Sequence, residues 1–247
     1  MPQLPKRAES LTSNATATVT APTNTLPTGS VTISGTAQVG QTLTASAPTL
    51  ADIDGLGAIT YKWYRSGDAT SIATGTTYVL VRADFEKTIT VAASYTDGYG
   101  TQESVTSNAT SAVIAPANTL PVGSVTISGT ARVGLTLVSD VTGLIDPDVI
   151  GVISYQWNRN GVAIALATNP TYLLVQGDFE KTITVTASYI DGYKRSESKT
   201  STATAAVTAP PNTSPTGSVT ISGNAVGGQT LTASATTLAD ADGLGTR

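Results

Sequence analysis

Pairs of aspartates separated by one residue are the best candidates for chemistry in this sequence. Asp52 and Asp54 lie in the phrase DIDGLG, which returns as DPDVIG from Asp146 and as DADGLG from Asp240. Calcium binds clustered hard oxygen atoms, and an Asp-x-Asp turn can direct two carboxylates and a carbonyl toward one point. Asp and Gly are also the ordinary residues of tight turns, where the carboxylate bonds the local backbone. The motif therefore predicts either a calcium site or a purely structural turn.

A second group of carboxylates, Asp84 and Glu86, lies in the phrase ADFEK, which returns as GDFEK at 177–181. Glycoside hydrolases use neighbouring carboxylates of this kind. At positions i and i+2 of an extended loop, however, the two side chains more simply cap a strand or pair with Lys87. We expect this structural role rather than catalysis.

Composition excludes most other catalytic chemistry. The 247 residues include no Cys and no His. This excludes disulfides, thiolate zinc sites, a Cys nucleophile and the usual imidazole base of a serine triad. The net charge is -4, and the basic residues form no run longer than two and no positive stripe, so nucleic acid and anionic membranes are poor partners. No segment approaches membrane-spanning length. We expect no enzyme and no membrane insertion.

The elements that position the carboxylates belong to an internal repeat. Trp63 and Trp157 are 94 residues apart, and the same offset joins Asp84 with Asp178. Because the offset holds without slippage, no insertion or deletion separates the copies. The phrase NTLPTGSVTISG marks the start of a unit. The predicted segments are the last strand of a preceding partial repeat in 1–23, whole repeats in 24–117 and 118–211, and the first part of a third, incomplete repeat in 212–247.

Alternating apolar residues and turn residues predict about seven short strands in each repeat. In the first copy the strand phrases are SVTISG, QTLTAS, AITYKWYR, TYVLVR, KTITVAASY and ESVTSNATSAVIA. A period of two places Ile59, Tyr61 and Trp63 on one inward face. The inward residues of the long penultimate strand are Ile89, Val91, Ala93 and Tyr95. The fold class is therefore predicted as all-β, with a β-sandwich in each repeat.

These phrases carry a family resemblance. The Tyr-x-Trp strand followed by DFEKTITVAASY is similar to an immunoglobulin-like sandwich, with Trp63 as its central plug and Tyr95 at the place of a corner tyrosine. More specifically, PTGSVTISGTAQVGQTLTAS, LADADGLG, ITYKW and ITVAASYTDGYGTQESVTS resemble the tandem bacterial immunoglobulin-like, cadherin-like repeats of large secreted surface proteins and adhesins. The resemblance covers nearly the whole chain from Glu9 onward. It implies tandem immunoglobulin-like β-sandwich domains, with partial repeats at both ends, in an extracellular array on the bacterial cell surface.

The resemblance also implies calcium at the joints between domains. In such a sandwich, the loop after the second strand and the loop that holds Asp97 share the end that faces the preceding domain. The expected joint site combines Asp146, Asp148 and Asp191 of the second repeat with Asp84 and Glu86 of the first. The family's linker commonly reads Asn-Asp-x-Pro, whereas this chain has NTLP at 24–27 and 118–121. The linker carboxylate is missing, so calcium and a metal-free joint both remain open.

Two functional classes remain open. The first is a structural spacer, in which sandwich domains on short linkers carry an adhesive or anchoring element that lies outside this sequence. The second is a binding module, in which the loop with Asp97 and Tyr99 and the loop with Asp191 and Tyr193 hold a glycan or a protein. The loop phrase TDGYGTQ becomes IDGYKRS in the second copy. A spacer tolerates this drift, whereas a multivalent binder of one ligand should resist it.

The partial repeats predict one more alternative, which is assembly of the chain with itself. Residues 9–22 match only the last strand of a repeat, and 212–247 match only its first third. The first and last strands of an immunoglobulin-like sandwich lie side by side. Residues 9–22 of one molecule could therefore add to the edge formed by 218–235 of another. Such a head-to-tail contact does not close on itself and would form a filament.

Overall fold

The structure is a computed structural model that describes residues 1–3, 5 and 7–243. The chain divides into two compact units, Met1–Ala117 and Asn118–Arg247. Each unit contains one complete repeat built almost wholly from antiparallel strands, so the predicted all-β class is confirmed. The helical segments in the described residues are single turns, too short to span a bilayer.

The first repeat is a sandwich of two sheets. Its strands are β1 (Thr32–Ser34), β2 (Thr42–Ser46), β3 (Thr60–Arg65), β4 (Ala73–Thr74), β5 (Thr77–Val79), β6 (Ile89–Thr96) and β7 (Gln102–Thr106). One sheet has the order β1-β2-β5 and the other β4-β3-β6-β7. A single 3-10 turn, Arg82–Asp84, connects β5 to β6. Three strands packed on four in this order form an immunoglobulin-like sandwich.

The second repeat has the same architecture 94 residues later. Its strands are β8 (Thr126–Ser128), β9 (Thr136–Asp140), β10 (Ser154–Arg159), β11 (Val162–Ala163), β12 (Thr171–Leu173), β13 (Ile183–Ile190) and β14 (Ser196–Thr200), with a 3-10 turn at Gln176–Asp178. The register is also shared, because Trp63 pairs with Val91 and Trp157 pairs with Val185. Both repeats are therefore tandem immunoglobulin-like domains.

A tryptophan lies at the centre of each core. Trp63 and Trp157 are fully buried, and their indole N–H groups donate to the carbonyls of Gly75 and Asn169 at 2.9 and 2.8 Å. The predicted inward face of the penultimate strand is confirmed, since Ile89, Val91, Ala93 and Tyr95 are all buried, and the half-buried Ile59 and Tyr61 pack against the same core. The polar atom of each indole is satisfied, so the ring fills the core without an unpaired donor.

The last strand of the repeat differs from the prediction. The sequence predicts one strand over 103–115, but β7 ends at Thr106, and beyond it Val113 and Ile114 form only isolated parallel bridges, to Phe85 and Gln38. At the break, Ser107 Oγ accepts the Val91 N–H at 3.1 Å. A hydroxyl oxygen thus takes the place of a backbone carbonyl as acceptor. The regular ladder of backbone hydrogen bonds ends here, although the apolar alternation of the sequence continues. The two-residue strand β4 was also not predicted.

The two partial repeats are described without complete cores. Residues 7–26 are exposed and form no strand, and the third repeat contributes only the hairpin β15 (Thr220–Ser222) and β16 (Thr232–Ser234). Val219 and Leu231 are exposed there, whereas their counterparts Val31 and Leu43 are buried. Strand addition between copies stays a prediction.

Candidate functional site

Four carboxylates gather at one end of each complete repeat, and we call this group the acidic pole. Its members are Asp52, Asp54, Asp97 and Glu103 in the first repeat and Asp146, Asp148, Asp191 and Glu197 in the second. A backbone hydrogen bond joins the two contributing loops, from Gly98 N–H to the Asp54 carbonyl at 3.0 Å, and from Gly192 N–H to the Asp148 carbonyl at 2.8 Å. The prediction that these loops share one end is confirmed within each repeat.

The first aspartate of each Asp-x-Asp pair accepts hydrogen bonds from within its own repeat. Asp52 Oδ1 accepts the Asp54 N–H at 2.9 Å, and its Oδ2 accepts the Tyr95 hydroxyl at 2.6 Å. Tyr189 donates to Asp146 at the same distance. Burial and this bond raise the pKa of Tyr95 above its ordinary 10.0. Tyr95 therefore bonds a carboxylate 43 residues upstream, whereas the hydroxyl of a tyrosine corner bonds the backbone a few residues upstream.

The second aspartate and the glutamate hold the linker that precedes the repeat. Asn24 donates its side-chain amide to Glu103 Oε1 at 2.6 Å, and the Thr25 N–H donates to Asp54 Oδ2 at 2.6 Å. In the second repeat the same two bonds measure 2.6 and 2.8 Å. Sequence reasoning missed the role of Glu103, although Glu and Asn both recur at the 94-residue offset. We call this pair of bonds the linker clamp.

The third aspartate, Asp97, keeps one oxygen without a hydrogen-bond partner. Its Oδ1 accepts the N–H groups of Tyr99 and Thr101 at 2.9 and 2.7 Å, while its Oδ2 is buried and unpaired. Burial disfavours the charged form, but the backbone donors of Thr101 and Tyr99 outweigh it and hold the pKa of Asp97 below its ordinary 3.8. Asp97 is therefore an anion at neutral pH.

In the second repeat, an arginine reaches into the acidic pole. Arg195 Nη1 lies 3.1 Å from Asn118 Oδ1, 3.5 Å from Asp148 Oδ2 and 4.0 Å from Asp191 Oδ2. Its Cζ lies 5.7 Å from the ring centre of Tyr193, within the range of a cation–π contact. Tyr193 is half-buried as a result, whereas Tyr99 is 57% exposed.

Asp84 belongs to a different network. Of the two expected roles it has the capping one, because it accepts the Val81 N–H, and its ion pair is with Arg65 instead of Lys87. It is fully buried, and it accepts Arg65 Nε at 2.6 Å, the Tyr78 hydroxyl at 2.9 Å and the Val81 N–H at 2.7 Å. Asp178 repeats this arrangement with the corresponding residues. The preference for Arg65 follows from geometry, because a buried carboxylate needs donors on both oxygens.

The residues of the predicted calcium site lie in two kinds of environment within their own repeats. Asp52 and Asp54, like Asp146, Asp148 and Asp191, lie in the acidic poles, whereas Asp84 lies in its own buried ion pair and Glu86 is exposed. No group of three or more Asp, Glu, His or Cys side chains in the described residues is arranged to hold a metal ion. Calcium binding across a joint stays a prediction.

Comparison with known proteins is limited to the fold. No protein-family model matches the chain, and no curated protein matches it. Among solved structures, a tetra-tandem repeat in the extending region of a large adhesion protein is 18% identical over 79% of this chain and 52% of that chain, with a TM-score of 0.38. The tandem Ig repeats of Dlar are 15% identical over 74% and 98%, with a TM-score of 0.25. This chain spans about half of the adhesion-protein structure.

Proposed function

We propose that this chain is a structural spacer, formed by repeats of an extracellular bacterial surface protein or adhesin that hold another element away from the cell. The observation that carries the proposal is the linker clamp. Each occurrence of the linker motif is bonded to the repeat that follows it, and the third occurrence keeps one of the bonds, from Thr213 N–H to Asp242. A recurring joint suits an array that transmits position along the chain.

The clamp restricts the linker by hydrogen bonds to ionised groups. Bonds from amide donors to carboxylates are shorter and stronger than those between neutral groups, and Glu197 is buried. Pro121, which closes the linker motif, further restricts the backbone because its ring fixes φ. A linker held in this way behaves as a semi-rigid connector rather than as a flexible coil. The same network supports the proposal in both complete repeats.

Amide hydrogen exchange on the full chain tests the clamp directly. We expect the Thr25 and Thr119 amides to exchange far more slowly than in an unfolded chain, because each donates to a carboxylate. Asp148→Ala should speed exchange at Thr119 and leave Thr25 unchanged, so the first repeat serves as the control. Exchange at the unfolded rate in the parent chain would refute a clamped linker.

Mechanical stretching of the full chain tests the spacer itself. Two complete repeats should unfold in two separate events, each releasing roughly 300 Å of chain at about 3.4 Å per residue. A single event of double length, or a smooth extension without events, would contradict a row of separate load-bearing domains.

Tyr99 supports a second candidate function, that of a binding module. This residue is 57% exposed at a loop tip, and exposed tyrosines are enriched at recognition surfaces. A glycan array probed with the full chain, beside Tyr99→Ala, tests this function. Binding that Tyr99→Ala abolishes would favour a glycan-binding module, whereas an array without signal would remove glycans as its ligands.

A further inference from the structure

The second repeat has an uncharged, apolar sheet edge where the first repeat has a charged one. Strand β11 is an outer strand of its sheet, in the order β11-β10-β13-β14. Residues 162–167, which we call the apolar edge, read VAIALA, whereas the first repeat has DATSIA at the same offset. Asp68 of that stretch pairs with Arg65 at 3.1 Å. A charge on an edge strand opposes pairing with another chain, and the apolar edge contains no such charge.

The backbone of the apolar edge has hydrogen-bonding groups that the repeat itself does not use. In an antiparallel ladder, alternate residues direct their N–H and C=O groups toward the neighbouring strand. The Ile164 N–H donates to the Trp157 carbonyl at 2.9 Å, so the backbone groups of Ala163 point away from β10. Ala165 likewise has no hydrogen bond to any other described residue. Unpaired backbone groups at a sheet edge bind an additional extended strand.

Leu166 is both strained and exposed near the end of this edge. The Ala167 N–H donates to the Ile164 carbonyl at 3.2 Å, which closes a tight turn, and Leu166 within that turn has a φ of 61°. This left-handed conformation is unfavourable for a leucine. Leu166 is 93% exposed, and Val162 at the other end of the edge is 71% exposed. Strain that coincides with exposed apolar side chains indicates a contact surface.

The two exposed side chains are placed symmetrically about Ile164, and this symmetry identifies what the edge fits. An antiparallel pair of these edges with its two-fold axis at Ile164 matches Ala163 of each copy with Ala165 of the other. The same register matches Val162 of each copy with Leu166 of the other. Because the edge contains no charged residue, the register places no like charges opposite each other. A surface that complements itself in this way fits a two-fold interface between identical chains.

We infer that the apolar edge of the second repeat binds the same edge of a second copy of this chain, as an antiparallel strand pair that joins two four-stranded sheets. The unused backbone groups supply the hydrogen bonds of the pair, and Leu166 and Val162 cover each other's apolar surface. The contact is small beside a standard interface, so the association is weak. It closes at two chains, unlike the head-to-tail filament. The inference holds whether or not the chain is a spacer.

Sedimentation of the full chain over a concentration series, up to about 1 mM, measures the association. We expect a monomer that becomes a dimer and grows no further. Amide hydrogen exchange at low and high concentration locates the contact, because the Ala163 and Ala165 amides should exchange fast in the monomer and more slowly in the dimer. A monomer at every concentration would leave this edge to a strand of another protein and would overturn the inference, as would masses that keep growing.

Substitutions in the edge give the sharper test. Leu166→Asn removes the apolar side chain but keeps a residue that tolerates a positive φ, so the melting temperature should not fall while the dissociation constant rises at least about tenfold. Val162→Asp introduces the charge that the first repeat has at this position and should weaken association equally. Val152→Asn is the control, since Val152 is 94% exposed in the same repeat but outside the edge, and it should leave association unchanged. Equal association of the parent and both edge variants, or an equal loss in Val152→Asn, would refute the proposed contact.

Discussion

At the scale of single residues, Val149 is held in a backbone conformation that suits glycine. Its φ is 75°, and the corresponding residues of the other copies are Gly55 and Gly243, with φ of 107° and 93°. A β-branched residue in this region is strained, because its side chain meets its own backbone. Such strain costs about 1–3 kcal/mol. A glycine at this position would remove the strain, but it would lose more conformational entropy on folding than a valine does.

Val149→Gly should therefore stabilise the second repeat by about 1 kcal/mol, the part of the strain that the glycine entropy does not offset. The reverse change, Gly55→Val, is the matched control and should destabilise the first repeat, since a Cβ there would lie 3.3 Å from Gly98 N. Urea unfolding followed by tryptophan fluorescence measures both. A second repeat that is no more stable after Val149→Gly would show that the strain is relieved elsewhere.

The hydrogen bond from Tyr95 to Asp52 makes the stability of the first repeat depend on pH. Burial, followed by the bond to Asp52, raises its pKa above 10.0. The bond thus contributes fully below pH 10, and its contribution falls as pH rises from there through the folded pKa, since the unfolded tyrosine ionises first. Tyr95→Phe should lower the unfolding free energy of the first repeat by about 1–3 kcal/mol at neutral pH, and this deficit should shrink above pH 10. Denaturant titrations at pH 7 and pH 11 measure it, and a constant deficit would contradict the assignment.

The residues of the acidic pole were only partly predictable from the sequence. The Asp-x-Asp pairs were identified because their spacing is a recognisable turn signal. The sequence could not show that Asp52 accepts a bond from Tyr95, because that contact depends on how a loop and a strand 43 residues apart meet. The unpaired oxygen of Asp97 is equally invisible in sequence, since it depends on burial from several directions.

At the scale of elements, the break after β7 is the clearest case in which side chains determine where a strand ends. Period-two alternation predicted the strands themselves, because the core faces are regular. It did not predict the end at Thr106, because the apolar alternation continues past it and Thr110 fits a strand by propensity. In the structure, however, the hydroxyls of Ser107 and Thr110 accept the N–H groups of Val91 and Ile89. Whether a side-chain hydroxyl or a backbone carbonyl accepts the N–H depends on where the two groups lie in the folded structure, which the sequence alone does not show.

Ser107→Ala tests this explanation. Removal of the hydroxyl leaves the N–H of the fully buried Val91 without its acceptor, and an unsatisfied buried donor costs about 1–3 kcal/mol. Ser104→Ala is the control, since Ser104 is exposed on β7, which ends just before Ser107, and its hydroxyl accepts a bond from the Ser94 hydroxyl. This change should alter stability by less than about 0.5 kcal/mol. Equal effects of the two changes would mean that the break has another cause.

At the scale of the whole molecule, the two complete repeats lie in different compact units. Each has its own buried cluster, one around Trp63 and one around Trp157. The 94-residue offset predicted this division, because a repeat that carries all seven strands can close its own core. Separate cores imply that damage to one repeat leaves the other folded.

Trp157→Ala should therefore unfold the second repeat at a lower temperature and leave the first unchanged. Truncation of a buried aromatic costs roughly 3–5 kcal/mol, a large share of the roughly 5–15 kcal/mol that stabilises a domain. Calorimetry should show two separated transitions, and Trp63 fluorescence should report only the upper one, at the melting temperature of the first repeat in the parent chain. Trp63→Ala is the matched variant and should exchange the roles of the repeats. A single transition at a lower temperature, reported alike by calorimetry and by Trp63, would mean that the repeats unfold as one cooperative unit, because the loss of one core would then have removed the stability of both.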